Sequence, residues 1–191
     1  SSFFQVFLLC RHDLATLAPR VQLDTRDSQF YPRAGTLFDG TVSIGRDAFG
    51  SDVDYEKTKL EYNHYRSLSE GGVLAVRAMT EYVSGDAPFF LFPAFGAGSD
   101  LRGYQTGTYR NRFLFAAQAE YRWRFAERWG VVGFAGVGTV NDEFLDWGTT
   151  LPSFGGGLRF VIAPMNDMSL RFDIARGRDD TEFYLGIGEA F

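Results

Sequence analysis

Apolar and polar residues alternate along much of this chain with a period of two, which is typical of strands with two unlike faces. The segment 112–125 is the clearest example. One of its faces carries Phe113, Phe115, Ala117, Ala119, Tyr121, Trp123 and Phe125, and the other carries Arg112, Gln118, Glu120, Arg122 and Arg124. An alternation of about thirteen residues exceeds the five or six that are usual in globular strands. The pattern therefore favours a membrane strand, with one face to lipid and one to water, over a half-buried strand of an ordinary sheet.

The same alternation recurs elsewhere and predicts nine strands separated by turn residues. They cover residues 20–26, 35–46, 54–67, 72–84, 111–125, 130–140, 153–163, 168–177 and 182–191. A tenth, partial strand is predicted at 3–9. Phe160, Phe172 and Leu185 are predicted to face lipid, so an arginine at Phe172 should be costly, whereas an arginine at the neighbouring Asp173 should be far milder.

The connections between these strands differ in length. Residues 126–129 and 163–167 form short polar turns, whereas residues 85–110 form one long connection rich in Gly, Phe and Pro. Outer-membrane barrels have short periplasmic turns and longer extracellular loops. A loop as long as 85–110 is uncommon without a function.

Composition agrees with a single membrane domain over residues 1–191. Aromatic residues make up 17% of the chain, yet the mean hydropathy is only -0.15. No run of 18 apolar residues is present, which argues against a transmembrane helix, but a barrel strand needs only about 9–11 residues with every second one apolar. The sequence therefore predicts an all-β, antiparallel transmembrane β-barrel.

Charge and reactive residues exclude several other functions. The net charge of -5 leaves no basic stripe for a nucleic acid. The single Cys10 permits no internal disulfide, and His12 and His64 are too few for a zinc site. No Gly-x-Ser-x-Gly motif supports nucleophilic catalysis. We therefore expect no metal, no cofactor and no enzymatic activity.

Two sets of motifs resemble one known family. The first is Leu101-Arg102-Gly103-Tyr104 within the long loop, followed by Gln118-Ala119-Glu120-Tyr121-Arg122-Trp123 in the next strand. The second runs from Asp24-Thr25-Arg26-Asp27 to Tyr31-Pro32-Arg33-Ala34-Gly35. Together they are similar to the sixth extracellular loop, its following strand and an earlier turn of the BamA/TamA superfamily, over roughly residues 19–191.

The resemblance implies a C-terminal portion of a 16-stranded barrel, with five strands after the motif loop and the missing strands upstream. The chain contains no soluble polypeptide-transport-associated module, so the resemblance implies a short member without one. Packing leads to a related expectation, because a closed barrel of eight to ten strands is nearly filled by its own side chains. Either the 85–110 loop stays outside or further strands enlarge the barrel so that it folds inward.

The resemblance also assigns roles to residues of the loop motif Leu101, Arg102, Gly103 and Tyr104. Arg102 is expected to point into the lumen and to pair with acidic residues on the next two strands, the first of which is Glu120. The second acid is absent, because Gly136 stands where the family has it. We therefore expect Glu120 to carry most of the pairing, unless Asp173 or Glu81 substitutes. The alternative is that Arg102 is a solvated loop arginine.

The end of the sequence resembles the closing strand of an outer-membrane barrel. Its apolar row is expected to act as the outer-membrane insertion signal and consists of Phe183, Leu185, Ile187 and Phe191. Glycines 186 and 188 would weaken pairing along this strand.

Two functions remain open for such a barrel in the bacterial outer membrane. The favoured one is assisted insertion or translocation of proteins, with incoming strands added at a weakly paired seam. The expected partners are outer-membrane lipid and lipopolysaccharide, and also client outer-membrane proteins or other assembly subunits. The alternative is a passive structural or pore-forming barrel without clients.

Overall fold

The computed structural model describes residues 14–96, 100–163 and 167–191, and ten antiparallel strands form one sheet in them. The strands are β1 (Thr16–Leu17), β2 (Arg20–Asp24), β3 (Gly35–Gly45), β4 (Tyr55–Ser67), β5 (Gly72–Gly85), β6 (Phe113–Arg124), β7 (Trp129–Asn141), β8 (Thr149–Ala163), β9 (Met168–Arg176) and β10 (Thr181–Ile187). Short 3-10 helices cover Asp47–Phe49 and Phe89–Leu91. No helix in the described part of the chain is long and apolar enough to cross a membrane.

The sheet follows the order of the sequence from β3 to β10, and β1 and β2 both pair with β3. The all-β antiparallel fold and the nine predicted strands are confirmed, with ends that shift by up to four residues. The two-residue β1 was not predicted, and the predicted strand at 3–9 lies outside the described residues. Within those residues β2 and β10 are not paired with each other, so the sheet is open.

Side chains alternate between two faces as the sequence pattern predicts. In β9, Leu170, Phe172 and Ile174 are exposed, whereas Ser169 and Asp173 are buried. We call the side that carries Gln118, Glu120 and Arg122 the inner face and the opposite side the outer face. The outer face is apolar, whereas the inner face carries buried charged residues together with a buried apolar cluster.

The long connection between β5 and β6 covers the inner face. Phe95, Leu101 and Tyr104 of this connection are buried in one cluster with Met79, Leu114 and other inner-face residues. A closed barrel of ten strands would leave no room for such a loop, but the described strands form an open sheet, against which the loop packs.

Two details differ from the sequence predictions. Phe113 lies on the outer face as expected but is only 2% exposed, because Phe144 packs against its ring at 5.5 Å. The last strand ends at Ile187 rather than at residue 191. Gly188 adopts a φ of +84°, and beyond it the carbonyl of Phe191 accepts a hydrogen bond from the inner-face Arg122 at 2.7 Å. Phe191 therefore does not continue the outer row of Phe183, Leu185 and Ile187.

Candidate functional site

Arg102 lies at the centre of the inner face and is 1% exposed. Its Nη2 donates to Glu120 Oε2 at 2.5 Å and its Nη1 donates to Asp173 Oδ2 at 2.8 Å. Nε and Nη2 both donate to Gln118 Oε1, at 2.9 and 2.7 Å. The guanidinium also lies 3.4 Å from the ring centroid of Phe134. The structure thus places Arg102 in a buried site with two carboxylates, not in solvent.

The second carboxylate comes from a strand that the family pattern does not indicate. Glu120 was expected to carry most of the pairing, but Asp173 on β9 binds Arg102 as well, and it stands in for the acid that Gly136 replaces. Glu81, the other residue considered, pairs instead with Lys57 and Lys59 at 3.1 and 3.2 Å.

Six buried charged side chains form a closed ring in which positive and negative groups alternate. In order they are Arg102, Glu120, Arg122, Glu189, Arg159 and Asp173, and we call them the ion ring. Five of the six N–O contacts are 2.5 to 2.8 Å long, and the contact from Arg122 to Glu189 is 3.8 Å. Three positive and three negative groups balance, so each buried charge has partners of opposite sign on both sides.

The ion ring joins parts of the chain that are distant in sequence. Arg102 comes from the long loop, and Glu120, Arg159 and Asp173 come from β6, β8 and β9. Glu189 comes from the segment that turns inward after β10. Displacement of the loop would remove Arg102 from Glu120 on β6 and from Asp173 on β9, so each of these buried carboxylates would lose one of its two arginine partners in the ring.

Asp173 lies in a different environment from the one that its alternating position suggested. We expected an arginine to be far milder at Asp173 than at Phe172, because inner positions face water in a simple barrel. However, Asp173 is 0% exposed and contacts both Arg102 and Arg159. The structure thus contradicts the premise that this position faces water, and since an arginine there would place like charges together in a buried site, we now expect Asp173→Arg to be costly.

Glycines in β7 make room for the loop beside the ion ring. A Cβ at Gly136 would lie 2.9 Å from Leu101 Cδ1, and one at Gly138 would lie 2.7 Å from Phe95 Cζ. Leu101 and Phe95 are both fully buried. The family pattern has an acid at the position of Gly136. Here the glycine leaves space for Leu101, and Asp173 supplies the carboxylate instead.

The motif residues after Arg102 bind the loop to the far strands. Gly103 has a φ of +98°, and its amide donates to the Tyr184 hydroxyl of β10 at 2.8 Å. Tyr104 donates its hydroxyl proton to the carbonyl of Pro152 at 2.5 Å. Burial raises the pKa of Tyr104 to about 12. The motif Leu101 to Tyr104 thus contacts β7, β8 and β10 as well as the ion ring.

The predicted insertion-signal residues do not form one site. Phe183, Leu185 and Ile187 are exposed on the outer face of β10. Phe191 lies apart from them, with its ring 5.7 Å from the guanidinium carbon of Arg122. No cluster of His, Cys, Asp and Glu suited to a metal ion occurs among the described residues.

Known proteins are similar to this chain in sequence and in fold. Residues 11–191 match the Omp85 superfamily domain. The chain belongs to the Omp85 superfamily. This assignment places it in the bacterial outer membrane, which agrees with the localisation predicted from the sequence, and it confirms the resemblance to BamA/TamA proteins.

One curated relative and one solved structure show how much of an Omp85 protein this chain represents. The outer membrane protein assembly factor BamA of Nitratidesulfovibrio vulgaris is 28% identical over 90% of this chain, which spans 25% of that protein. The crystal structure of BamA from Haemophilus ducreyi lacking POTRA domains 1-3 has a TM-score of 0.73 at 16% identity. The match covers 90% of this chain and 41% of the Haemophilus ducreyi chain. The chain therefore spans a quarter to two fifths of the length of these relatives.

Proposed function

We propose that this Omp85 chain is the C-terminal portion of a 16-stranded barrel that assists insertion or translocation of proteins at the outer membrane. The supporting observation is that Arg102 of the inward loop is held by Glu120 and Asp173 in the buried ion ring. A loop that covers the inner face would obstruct conduction through a passive pore. The loop is fixed to β6, β8, β9 and β10, and such a fixed loop suits a barrel that acts on other proteins at its wall.

The proposed mechanism needs no catalytic residue, and we propose that the protein is not an enzyme. Client strands would add by backbone hydrogen bonding to the edge of β10, the mode called β-augmentation. At seven residues, β10 is much shorter than the fifteen-residue β8. Gly186 lies within β10 and Gly188 directly after it, and with seven residues this strand offers few backbone groups for pairing at its edge.

The proposed partners follow from this mechanism and from the outer surface. Client outer-membrane proteins and other assembly subunits would contact the edge of β10 and the periplasmic turns. Outer-membrane lipid and lipopolysaccharide would contact the apolar outer face. No nucleic acid, metal or cofactor is proposed.

Replacement of Arg102 in the full-length protein tests this function. Cells that depend on the Arg102→Ala variant should insert fewer client barrels into the outer membrane, whereas Gln105→Ala, an exposed position in the same loop, should behave as wild type. Ion conductance through the purified protein in planar bilayers is measured in parallel. If Arg102→Ala leaves client insertion intact and only raises conductance, the protein is a passive pore and the proposal fails.

A further inference from the structure

The connection between β7 and β8, residues 142–148, carries three exposed apolar side chains at the end of the sheet where the long loop lies. Phe144, Leu145 and Trp147 are 54%, 73% and 53% exposed. Side chains of this size are rarely left in water as a group, because each gives about 1.5–3 kcal/mol when fully buried.

This connection folds over the outer face rather than over the lumen. The Phe144 ring lies 5.1 Å from Tyr82 and 5.5 Å from Phe113, and the Trp147 ring lies 5.7 Å from Phe115. Tyr82, Phe113 and Phe115 belong to the outer face, because they alternate with buried inner-face residues of β5 and β6. The connection thus extends the apolar surface that we assign to lipid.

Polar groups of the connection are directed back toward the strand ends. Asn141 donates its side-chain amide to Asp146, and Asp142 lies 3.5 Å from Arg112. Trp147 donates its indole N–H to Thr150 at 3.2 Å. At the tip, Leu145 adopts a φ of +60°, a conformation that costs free energy for a residue other than glycine. The carboxylates of Asp142, Glu143 and Asp146 are exposed beside the apolar side chains, and those of Asp142 and Asp146 contact residues at the strand ends.

The height of the connection matches the edge of a membrane. Trp123, near the short turns, and Phe113 are ten residues apart on β6. At a rise of about 3.3 Å per residue they are about 33 Å apart along the strand. A strand tilt of about 40° reduces this distance to about 25 Å along the barrel axis. Outer-membrane barrels have an apolar band about 25 Å tall with aromatic girdles at both edges. Phe144 and Trp147 therefore lie at the extracellular girdle.

A shallow apolar groove of about 290 Å³ lies beneath Phe144 on the outer face. It is lined by Thr58, Leu60, Thr80, Tyr82 and Phe144. The groove is continuous with the outer face and points away from the lumen, so an acyl chain of a surrounding lipid has direct access to it.

We propose that residues 142–148 are a membrane-inserted anchor, which places Phe144, Leu145 and Trp147 in the outer leaflet and seats a lipid acyl chain in the groove beside Phe144. The anchor fixes the extracellular rim of β5 to β8 to the bilayer, and it stands whether or not the barrel has client proteins. It requires only the outer-membrane localisation. Its expected occupant is lipid rather than a second protein.

Fluorescence quenching by lipid tests the anchor in the full-length protein. Every tryptophan except Trp147 is replaced by phenylalanine, Trp123 and Trp129 among them, and the protein is refolded into phosphatidylcholine vesicles with brominated acyl chains. We expect a blue-shifted emission that the brominated chains quench and aqueous acrylamide quenches little. A protein that retains only Trp123, which is 50% exposed on the outer face, is the lipid-facing control. A protein whose single tryptophan is introduced by Gln105→Trp, in the exposed part of the long loop, is the aqueous control.

Two outcomes decide the proposal. Quenching of Trp147 by brominated lipid like that of the Trp123 control, lost when Phe144 and Leu145 are both replaced by serine, supports the anchor. Quenching by acrylamide like that of the Gln105→Trp control overturns it. If the tryptophan-depleted protein does not refold, a nitroxide on Leu145→Cys, with Cys10 replaced by serine, serves instead. Collisions with oxygen that exceed those with a water-soluble nickel chelate support insertion, and the reverse order refutes it.

Discussion

Asp173 and Arg102 are 71 residues apart in the sequence, yet Asp173 Oδ2 accepts a hydrogen bond from Arg102 Nη1 at 2.8 Å. This contact connects β9 to the loop that precedes β6, across the inner face of three intervening strands. Because both groups are buried, each depends on the other for charge balance. The loop is therefore held by an acid that does not belong to either of the strands next to it.

Double-mutant cycles should detect coupling of Arg102 with both Glu120 and Asp173. We expect Arg102→Ala, Glu120→Ala and Asp173→Ala each to destabilise the protein, and each double variant to be little worse than the single ones. Direct contacts give coupling free energies of about 0.5–3 kcal/mol, whereas separated sites add. The measurement is the free energy of unfolding by urea of the full-length protein in lipid vesicles.

The exposed pair of Arg20 and Asp39 provides the control for these cycles. Arg20 is 58% exposed at its side chain, and surface pairs of this kind contribute about 0–1 kcal/mol. The same cycle should therefore give weak coupling there. Coupling of Arg102 to Glu120 alone, with additive effects for Asp173, would contradict the closed ion ring.

Adjacent residues of β9 should both resist arginine, for opposite reasons. Phe172→Arg places a charge on the lipid-facing side and should cost about 2–4 kcal/mol near the bilayer midplane. Asp173→Arg removes a buried partner of two arginines and should cost about 3–5 kcal/mol or more. Refolding stability in lipid measures both. Asp173→Asn, which keeps the shape of the side chain, is the milder matched control. A well-tolerated Asp173→Arg would show that the inner face is wet at this point.

The strands were predictable because alternation is a local property. Phe172 and Asp173 differ in polarity, and this difference alone assigns them to opposite faces. The positions of Arg102 and Glu120 were expected from a resemblance, and the structure brings the two side chains together. Sequence spacing did not single out Asp173 among the acids of the inner face. The acid that contacts a loop arginine is decided by packing between non-adjacent strands.

The other residues of the site could not be found from the alternation of apolar and polar positions. Arg159 and Glu189 complete the ion ring, but a single arginine on an alternating strand resembles any inner-face residue. Glu189 was assigned to a continuing strand, and only the turn at Gly188 brings it inward. The available signal was a glycine followed by an acid directly after Ile187. Phe144 and Trp147 were not assigned to lipid because their connection has no strand pattern.

Leu101 and Gly136 should respond to substitution as a pair. Gly136→Ala would place a methyl group 2.8 Å from the carbonyl oxygen of Ala117 and 2.9 Å from Leu101 Cδ1, and overpacking of this kind costs about 1–3 kcal/mol. It should also expose the loop to protease. Gly133→Ala is the control, because no atom lies within 4 Å of a Cβ built there. Partial recovery of loop protection by Leu101→Val in the Gly136→Ala background would support direct contact, and equal protease sensitivity of the two glycine variants would exclude it.

The outer row of β10 should matter more for insertion in cells than for stability. Leu185 is 82% exposed, so Leu185→Ser removes little packing within the protein. If Phe183, Leu185, Ile187 and Phe191 act as an insertion signal, this variant should reach the outer membrane in reduced amounts while its refolded stability in vitro changes little. Phe191→Ala should differ, because Phe191 contacts Arg122 and its loss should affect stability as well. Normal insertion of Leu185→Ser would argue against the signal.

Ionisation of Tyr104 should loosen the loop at high pH. Burial favours the neutral phenol and raises the pKa of Tyr104 to about 12, above the ordinary value near 10. The stability that results is fully present below about pH 10 and is lost as the pH rises through about 12. The phenolate would also lose the hydrogen bond that the hydroxyl donates to the Pro152 carbonyl. The tyrosinate absorbance that is present in wild type and absent from Tyr104→Phe should therefore appear near pH 12. A spin label attached at Gln105→Cys should become more mobile over the same pH range. A difference that titrates near pH 10 would mean that water reaches the Tyr104 hydroxyl and that this end of the loop is not sealed against β8.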